Sequence, residues 1–214
     1  MGVTPERFNM GMTYEESKAV QPRNLPQYEA FEKEIQLTDT DLAPWRALPE
    51  KYNVLVLVID PCPDVQLNVP LLDKIAKQSG KLNVRVFMRD DNKDLMAQFM
   101  NGPYESVPVF AFFDQNWNCQ SVFIERPKSV TELRAQKTKA IYESDPAFGP
   151  NGNSATNMPE DVRARFQAAR SGMSAETRAF YVSESIRELR EIAEELASKP
   201  SSATWRGNLA AVPA

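Results

Sequence analysis

The chain has 214 residues, 42% of them hydrophobic and 25% charged, which is enough apolar material for one sizeable core and an appended helical piece. A net charge of −4 and a pI near 5.1, with no basic run longer than two residues, argue against a nucleic-acid surface. The sequence contains no histidine. That excludes Ser-His and Cys-His nucleophile pairs and the commonest zinc ligand, and leaves chemistry to thiols, carboxylates, Lys, Tyr or backbone dipoles.

Residues 1–50 mix Pro with aromatics. Pro26 opens a predicted helix through Glu34 with Tyr28, Phe31 and Ile35 inward, and 41–48, holding Trp45, predicts another turn or two. The segment reads as an N-terminal extension packed on the core. The unbroken apolar run 54–59 predicts a buried strand. Residues 66–79 follow at helical spacing through Val69, Leu72, Ile75 and Ala76, with Pro63 near the start and Gly80 past the end. Strands are expected at 84–88, 107–113 and 119–124, a helix at 91–100 and a turn at 114–117. A closing helix at 129–142 is marked by Val130, Leu133 and Ile141. Strand–helix–strand demands a parallel pair with a right-handed crossover, and the short link after the third strand demands an antiparallel hairpin. The result is an α/β domain over 51–145 in the order β-α-β-α-β-β-α.

Beyond it, 146–157 is rich in Gly, Asn, Pro and Ser and reads as a linker or long loop. A helical extension is expected over 158–200, with helices at 159–170 and 175–198. In the second, Val182, Ile186, Leu189, Ala193 and Leu196 repeat at 4-3-4-3 spacing, flanked by Arg187/Glu191 and Arg190/Glu194. That stripe suits a helix docked on its own domain or, alternatively, a homodimer contact. Residues 201–214 are small and polar and are expected to form a flexible tail.

The chemically informative stretch is Asp60-Pro61-Cys62-Pro63-Asp64-Val65, where the first strand gives way to a helix. A thiol there sits at the positive end of the helix dipole, which can depress its pKa below the free value of about 8.5. Asp60 and Asp64 oppose this, and the helix terminus is expected to win narrowly because exposed carboxylates are screened by water. Dithiol chemistry puts a second cysteine three residues on, where this chain has Val65. Cys119 cannot substitute. It lies a strand length, about 20 Å at ~3.3 Å per residue, from the Pro108 end of the hairpin, and a disulfide needs Cα atoms within ~7 Å. Asp90-Asp91 reads as turn and capping chemistry, with no metal or cofactor implied. Arg126-Pro127 suggests an ion pair with Glu125 or Asp90 that pins the hairpin.

The strand order, with Pro61-Cys62-Pro63-Asp64 at the first strand–helix junction and Ser106-Val107-Pro108 opening the third strand, resembles the thioredoxin fold. More narrowly, a bacterial branch of thioredoxin-like proteins is suggested by Arg89-Asp90-Asp91-Asn92-Lys93-Asp94-Leu95-Met96, Val107-Pro108-Val109-Phe110 and Glu125-Arg126-Pro127. The opening Phe8-Asn9-Met10-Gly11-Met12-Thr13-Tyr14-Glu15-Glu16 points the same way. The resemblance spans roughly 8–142. It implies a three-layer sandwich with Cys62 as the catalytic thiol and a cis Pro108 beside it. Pro61, Pro63, Asp64, Val65, Val107 and Pro108 would then line a groove for an extended peptide or glutathione. Three departures from the family pattern matter. Val65 replaces the second cysteine, Pro61 a tryptophan, and Val56 a buried proton-shuttling aspartate.

Two functions follow from the resemblance. One is single-thiol exchange, in which Cys62 forms a mixed disulfide with a protein or glutathione and an external thiol resolves it. A well-placed internal thiol can act at an effective concentration of about 10⁵ M, so its loss makes fast general reduction improbable. The other is a redox-inactive binding module recognising an extended peptide or partner protein. No signal-peptide core opens the sequence and no apolar run is long enough to cross a bilayer, which favours a cytoplasmic protein without membrane or nucleic-acid partners.

Overall fold

The computed structural model describes residues 3–198; the tail expected at 201–214, and the last two residues of the 158–200 extension, lie outside them. Four short helices come first: α1 Pro5–Asn9, α2 Tyr14–Ala19, α3 Leu25–Glu34 and α4 Asp39–Arg46. Thr4 caps α1, and Thr13/Glu16 and Thr38/Asp41 form reciprocal capping boxes on α2 and α4. The inward faces are apolar: Phe8, Tyr28, Phe31, Ile35, Leu42 and Trp45 are all buried.

The sheet follows as β1 Tyr52–Val58, α5 Pro63–Ser79, β2 Leu82–Met88, α6 Lys93–Met96, β3 Val109–Phe113 and β4 Cys119–Ile124, with α7 Lys128–Ser144 and α8 Glu160–Ser198 after it. The strand order is β2-β1-β3-β4. β1 runs parallel to β2 and antiparallel to β3, and β3–β4 is an antiparallel hairpin with an irregularity at Phe112/Phe113. This is the element order expected from the resemblance, with helical additions at both ends. β1 is buried along most of its length because it is central and covered on both faces, which is why its sequence reads as a continuous apolar run. α5 packs against α3, α4 and β2.

Several boundaries differ from expectation, each for a local reason. α5 begins at Pro63 rather than 66, because Cys62 is its N-cap and proline suits the first helical turn. β3 begins at Val109, since Pro108 has no N–H to give the ladder. The helix expected at 91–100 shrinks to a 3₁₀ turn, Arg89–Asp91, and the single turn α6. Asn92 bends its side chain back to the Met88 carbonyl (2.7 Å), and Gln98 and Phe99 close 3₁₀-type bonds to Leu95 and Met96, which turn Phe99 into the core. The break expected between 170 and 175 is absent, and α8 is continuous through Gly172.

Contacts divide the chain into two compact units, the described parts of Met1–Arg126 with Ile186–Ala214, and Pro127–Ser185. In the second, 146–157 is more than a linker. Two 3₁₀ turns bracket it, and Phe148 and Tyr142 each set a ring about 5 Å from that of Phe166, a cluster that Met158 and Val162 complete. In the first, the last turns of α8 dock beside the sheet: Tyr52 donates to the Leu196 carbonyl (3.3 Å) and Ser121 to Glu195 (3.2 Å). Leu189, Ala193 and Leu196 are buried, while Val182 and Ile186 of the same stripe are half-buried.

Candidate functional site

Cys62 caps α5 in an extended conformation (φ −150°, ψ 122°), so its backbone carbonyl starts the helical ladder by accepting from Gln66 (2.9 Å). The peptide bonds Asp60–Pro61 and Val107–Pro108 are both cis. The half-buried thiol donates to the Val107 carbonyl at 3.8 Å, which brings Cys62, Val107 and Pro108 together as expected. Pro61 and Pro63 are exposed on either side, whereas Val65 is completely buried and contributes packing rather than surface. Val56 is likewise fully buried in β1. The Val107 amide has no hydrogen-bond partner among the described residues.

Asp64 is not the exposed carboxylate the sequence suggested. It is 4% exposed and accepts from Arg126 through Nε (3.1 Å) and Nη2, while the same guanidinium reaches Glu125. Asn68 donates to the carbonyls of Asp64 (3.0 Å) and Glu125 (3.4 Å), fastening the start of α5 to the end of β4. Glu125 is thus the partner expected for Arg126, but Asp90 is not; it pairs with Arg89 and Lys93.

Burial pushes the Cys62 thiol up, and the Asp64 charge adds to it; the Val65 and Asp64 N–H groups and Arg126 act in the opposite sense without prevailing. The expected lowering is therefore reversed. Its premise was a water-exposed thiol flanked by screened carboxylates, and both groups are instead largely withdrawn from water. A protonated thiol also suits its contact with a carbonyl oxygen, which a thiolate would repel.

The residue that sequence reasoning missed is Asn24. Fully buried between α2 and α3, it accepts from the Cys62 amide (3.1 Å) and the Gln66 side chain (2.9 Å) through Oδ1. Through Nδ2 it donates to the Ile59 carbonyl (2.8 Å) and Gln21 Oε1 (3.0 Å), and Tyr28 completes the network on Gln21 (2.9 Å). Neighbouring Arg23 holds Asp60 through its backbone amide (3.1 Å) and its guanidinium. The only hint in the sequence was a polar Gln21-x-x-Asn24 spacing inside an otherwise apolar-faced segment.

Cys119 pairs with Phe113, at the opposite end of β3 from Val107, and lies against the Ser121 carbonyl; both cysteines are free thiols. No helix among the described residues is long and apolar enough to cross a membrane.

A family model described as thioredoxin matches residues 11–139. Two solved structures share the fold at low identity. One is an HIV epitope-scaffold, 15% identical with a TM-score of 0.58, covering 88% of this chain and 96% of its own. The other is a Pseudomonas aeruginosa protein of unknown function, 18% identical with a TM-score of 0.57, covering 80% of this chain and 99% of its own. No curated protein matches the sequence.

Proposed function

Because the chain belongs to the thioredoxin family, we propose that it is a redox-quiet member that uses the groove between Cys62 and Pro108 to hold an extended segment of a partner protein. The observation that carries this reading is the Cys62 thiol itself, half-buried, donating to the Val107 carbonyl and pushed above its ordinary pKa by burial. At neutral pH such a thiol is protonated and a poor nucleophile. With Val65 where a resolving sulfur would stand, turnover lacks both of its halves. What remains is a strand-pairing edge. The Val107 amide lacks a partner among the described residues, a state that costs free energy until a carbonyl or water meets it. An extended peptide pairing there would supply that carbonyl. Two free thiols fit a reducing, cytoplasmic setting.

Slow mixed-disulfide formation with a protein or glutathione is the second reading. The Val65 and Asp64 N–H groups aimed at the sulfur favour it. Alkylation of Cys62 against pH, in a Cys119→Ser background, separates the two. The binding module predicts a midpoint at or above about 8.5, no insulin reduction, and undiminished capture of display-selected peptides by Cys62→Ala. A midpoint near 7, or disulfide formation with oxidised glutathione at neutral pH, establishes the exchange reading instead.

A further inference from the structure

Along the β2 edge of the sheet, three of the chain's eight methionines come to one cavity. Met10, Met12 and Met88 line one cavity of about 190 Å³ together with Arg7, Asp91 and Asn92. The convergence is built by the backbone. Met12 and Val86 exchange both N–H···O bonds (2.9 and 2.8 Å), an isolated antiparallel bridge on the β2 edge whose register carries Met10 towards Met88. Gly11 between them lies so close to β2 that a Cβ would meet the Phe87 ring at 2.6 Å and the Arg85 Cβ at 2.8 Å. Arg7 fastens the opposite wall, donating to both Asp94 oxygens (3.0 and 3.2 Å) and to Asn92 Oδ1 (2.8 Å), while Asn92 in turn holds the Met88 carbonyl. The walls are therefore fixed before any ligand arrives.

Met10 is nonetheless 72% exposed, an unusual position for a large apolar side chain. An apolar anchor would be expected to bury it. A thioether serving as a ligand must instead remain reachable. Among the described residues no three His, Cys, Asp or Glu groups lie close enough to hold a metal, so hard and borderline cations have no comparable site. Thioethers select soft monovalent ions. The one cation lining the cavity, Arg7, is balanced by Asp94, and Asp91 adds a carboxylate with no ion-pair partner among the described residues.

We propose that Met10, Met12 and Met88 form a thioether site for a soft monovalent cation, Cu(I) or Ag(I), with Asp91 supplying compensating charge. The site is separate from the Cys62 groove and does not depend on its function. The test is titration of Ag(I) into a Cys62→Ser/Cys119→Ser protein, which removes the competing thiols, followed by the methyl resonances of its methionines. One equivalent should shift Met10, Met12 and Met88 selectively and then saturate. Met10→Leu, volume-conserving at an exposed position and so safe for the fold, should weaken binding at least tenfold, and Met12→Leu/Met88→Leu should abolish it with an unchanged far-UV spectrum. Shifts spread over the other methionines, the absence of a saturating equivalent, or unchanged affinity in Met10→Leu would overturn the assignment.

Discussion

A single cysteine at a helix N-terminus is usually read as activated, and Cys62 shows how burial can defeat that placement. The helix supplies its N–H groups, but the sulfur is largely dehydrated and Asp64 sits beside it without water to screen its charge. Asp64 in turn is offset by Arg126, which meets it directly. The balance makes an ordered prediction. Asp64→Asn removes the negative charge, leaves Arg126 facing the sulfur and lowers the Cys62 pKa. Arg126→Met removes the cation facing Asp64, raises that pKa and destabilises the protein by about 3–5 kcal/mol, the scale for breaking a buried pair. Alkylation against pH and urea unfolding measure both, and a rise in the Asp64→Asn midpoint would refute the electrostatic account. The pH dependence of stability has a definite sign as well. A folded-state pKa above the unfolded value means that the native protein holds the Cys62 proton more tightly, so this stabilisation is complete below about pH 8.5 and fades as pH climbs through the folded value. Cys62→Ala should flatten that alkaline decline in urea midpoints between about pH 8 and 10.

At the scale of elements, legibility followed how local the determining forces were. β1 and α5 were plain in the sequence because a central strand reads as unbroken Val and Leu, and because Pro63 and Gly80 punctuate the helix. α6 was overestimated because Asn92, which sits where a helix would run, spends its side chain on the Met88 carbonyl, a choice that composition does not reveal. Asn24 was invisible for a different reason: its partner amide lies 38 residues away. Cys62, Val107 and Pro108 were found together, yet the protonation of the thiol was not, since burial is a property of the assembled site. Gly80 offers a clean measurement of local cost. It ends α5 in the left-handed region (φ 68°), and no atom lies within 4 Å of the point where a Cβ would stand. Gly80→Ala should therefore cost about 1 kcal/mol through backbone strain alone, and Gly80→Asn noticeably less. Equal urea midpoints for the alanine variant and the wild type would show that the terminus frays rather than holds.

At the scale of the whole molecule, the last turns of α8 return to the unit that contains the sheet, so residues more than 60 positions beyond β4 finish its core. The 4-3-4-3 stripe suited either a partner helix or the chain itself, and sequence could not choose between them because both bury the same side chains. Leu189 and Ala193 are fully buried and Leu196 nearly so within one chain, while Arg187–Glu191 and Arg190–Glu194 occupy the outer face as i,i+4 pairs. Val182 and Ile186 are half-buried, so the C-terminal part of the stripe is the part withdrawn from a second copy. The protein should therefore sediment as a monomer at tens of micromolar, with a thermal midpoint independent of concentration. Leu189→Ala should cost about 3 kcal/mol, within the range for emptying a buried leucine site, and leave the monomer mass unchanged. A dimer mass, together with a midpoint that climbs with concentration and loses that dependence in Leu189→Ala, would instead mean that the stripe is shared between two chains.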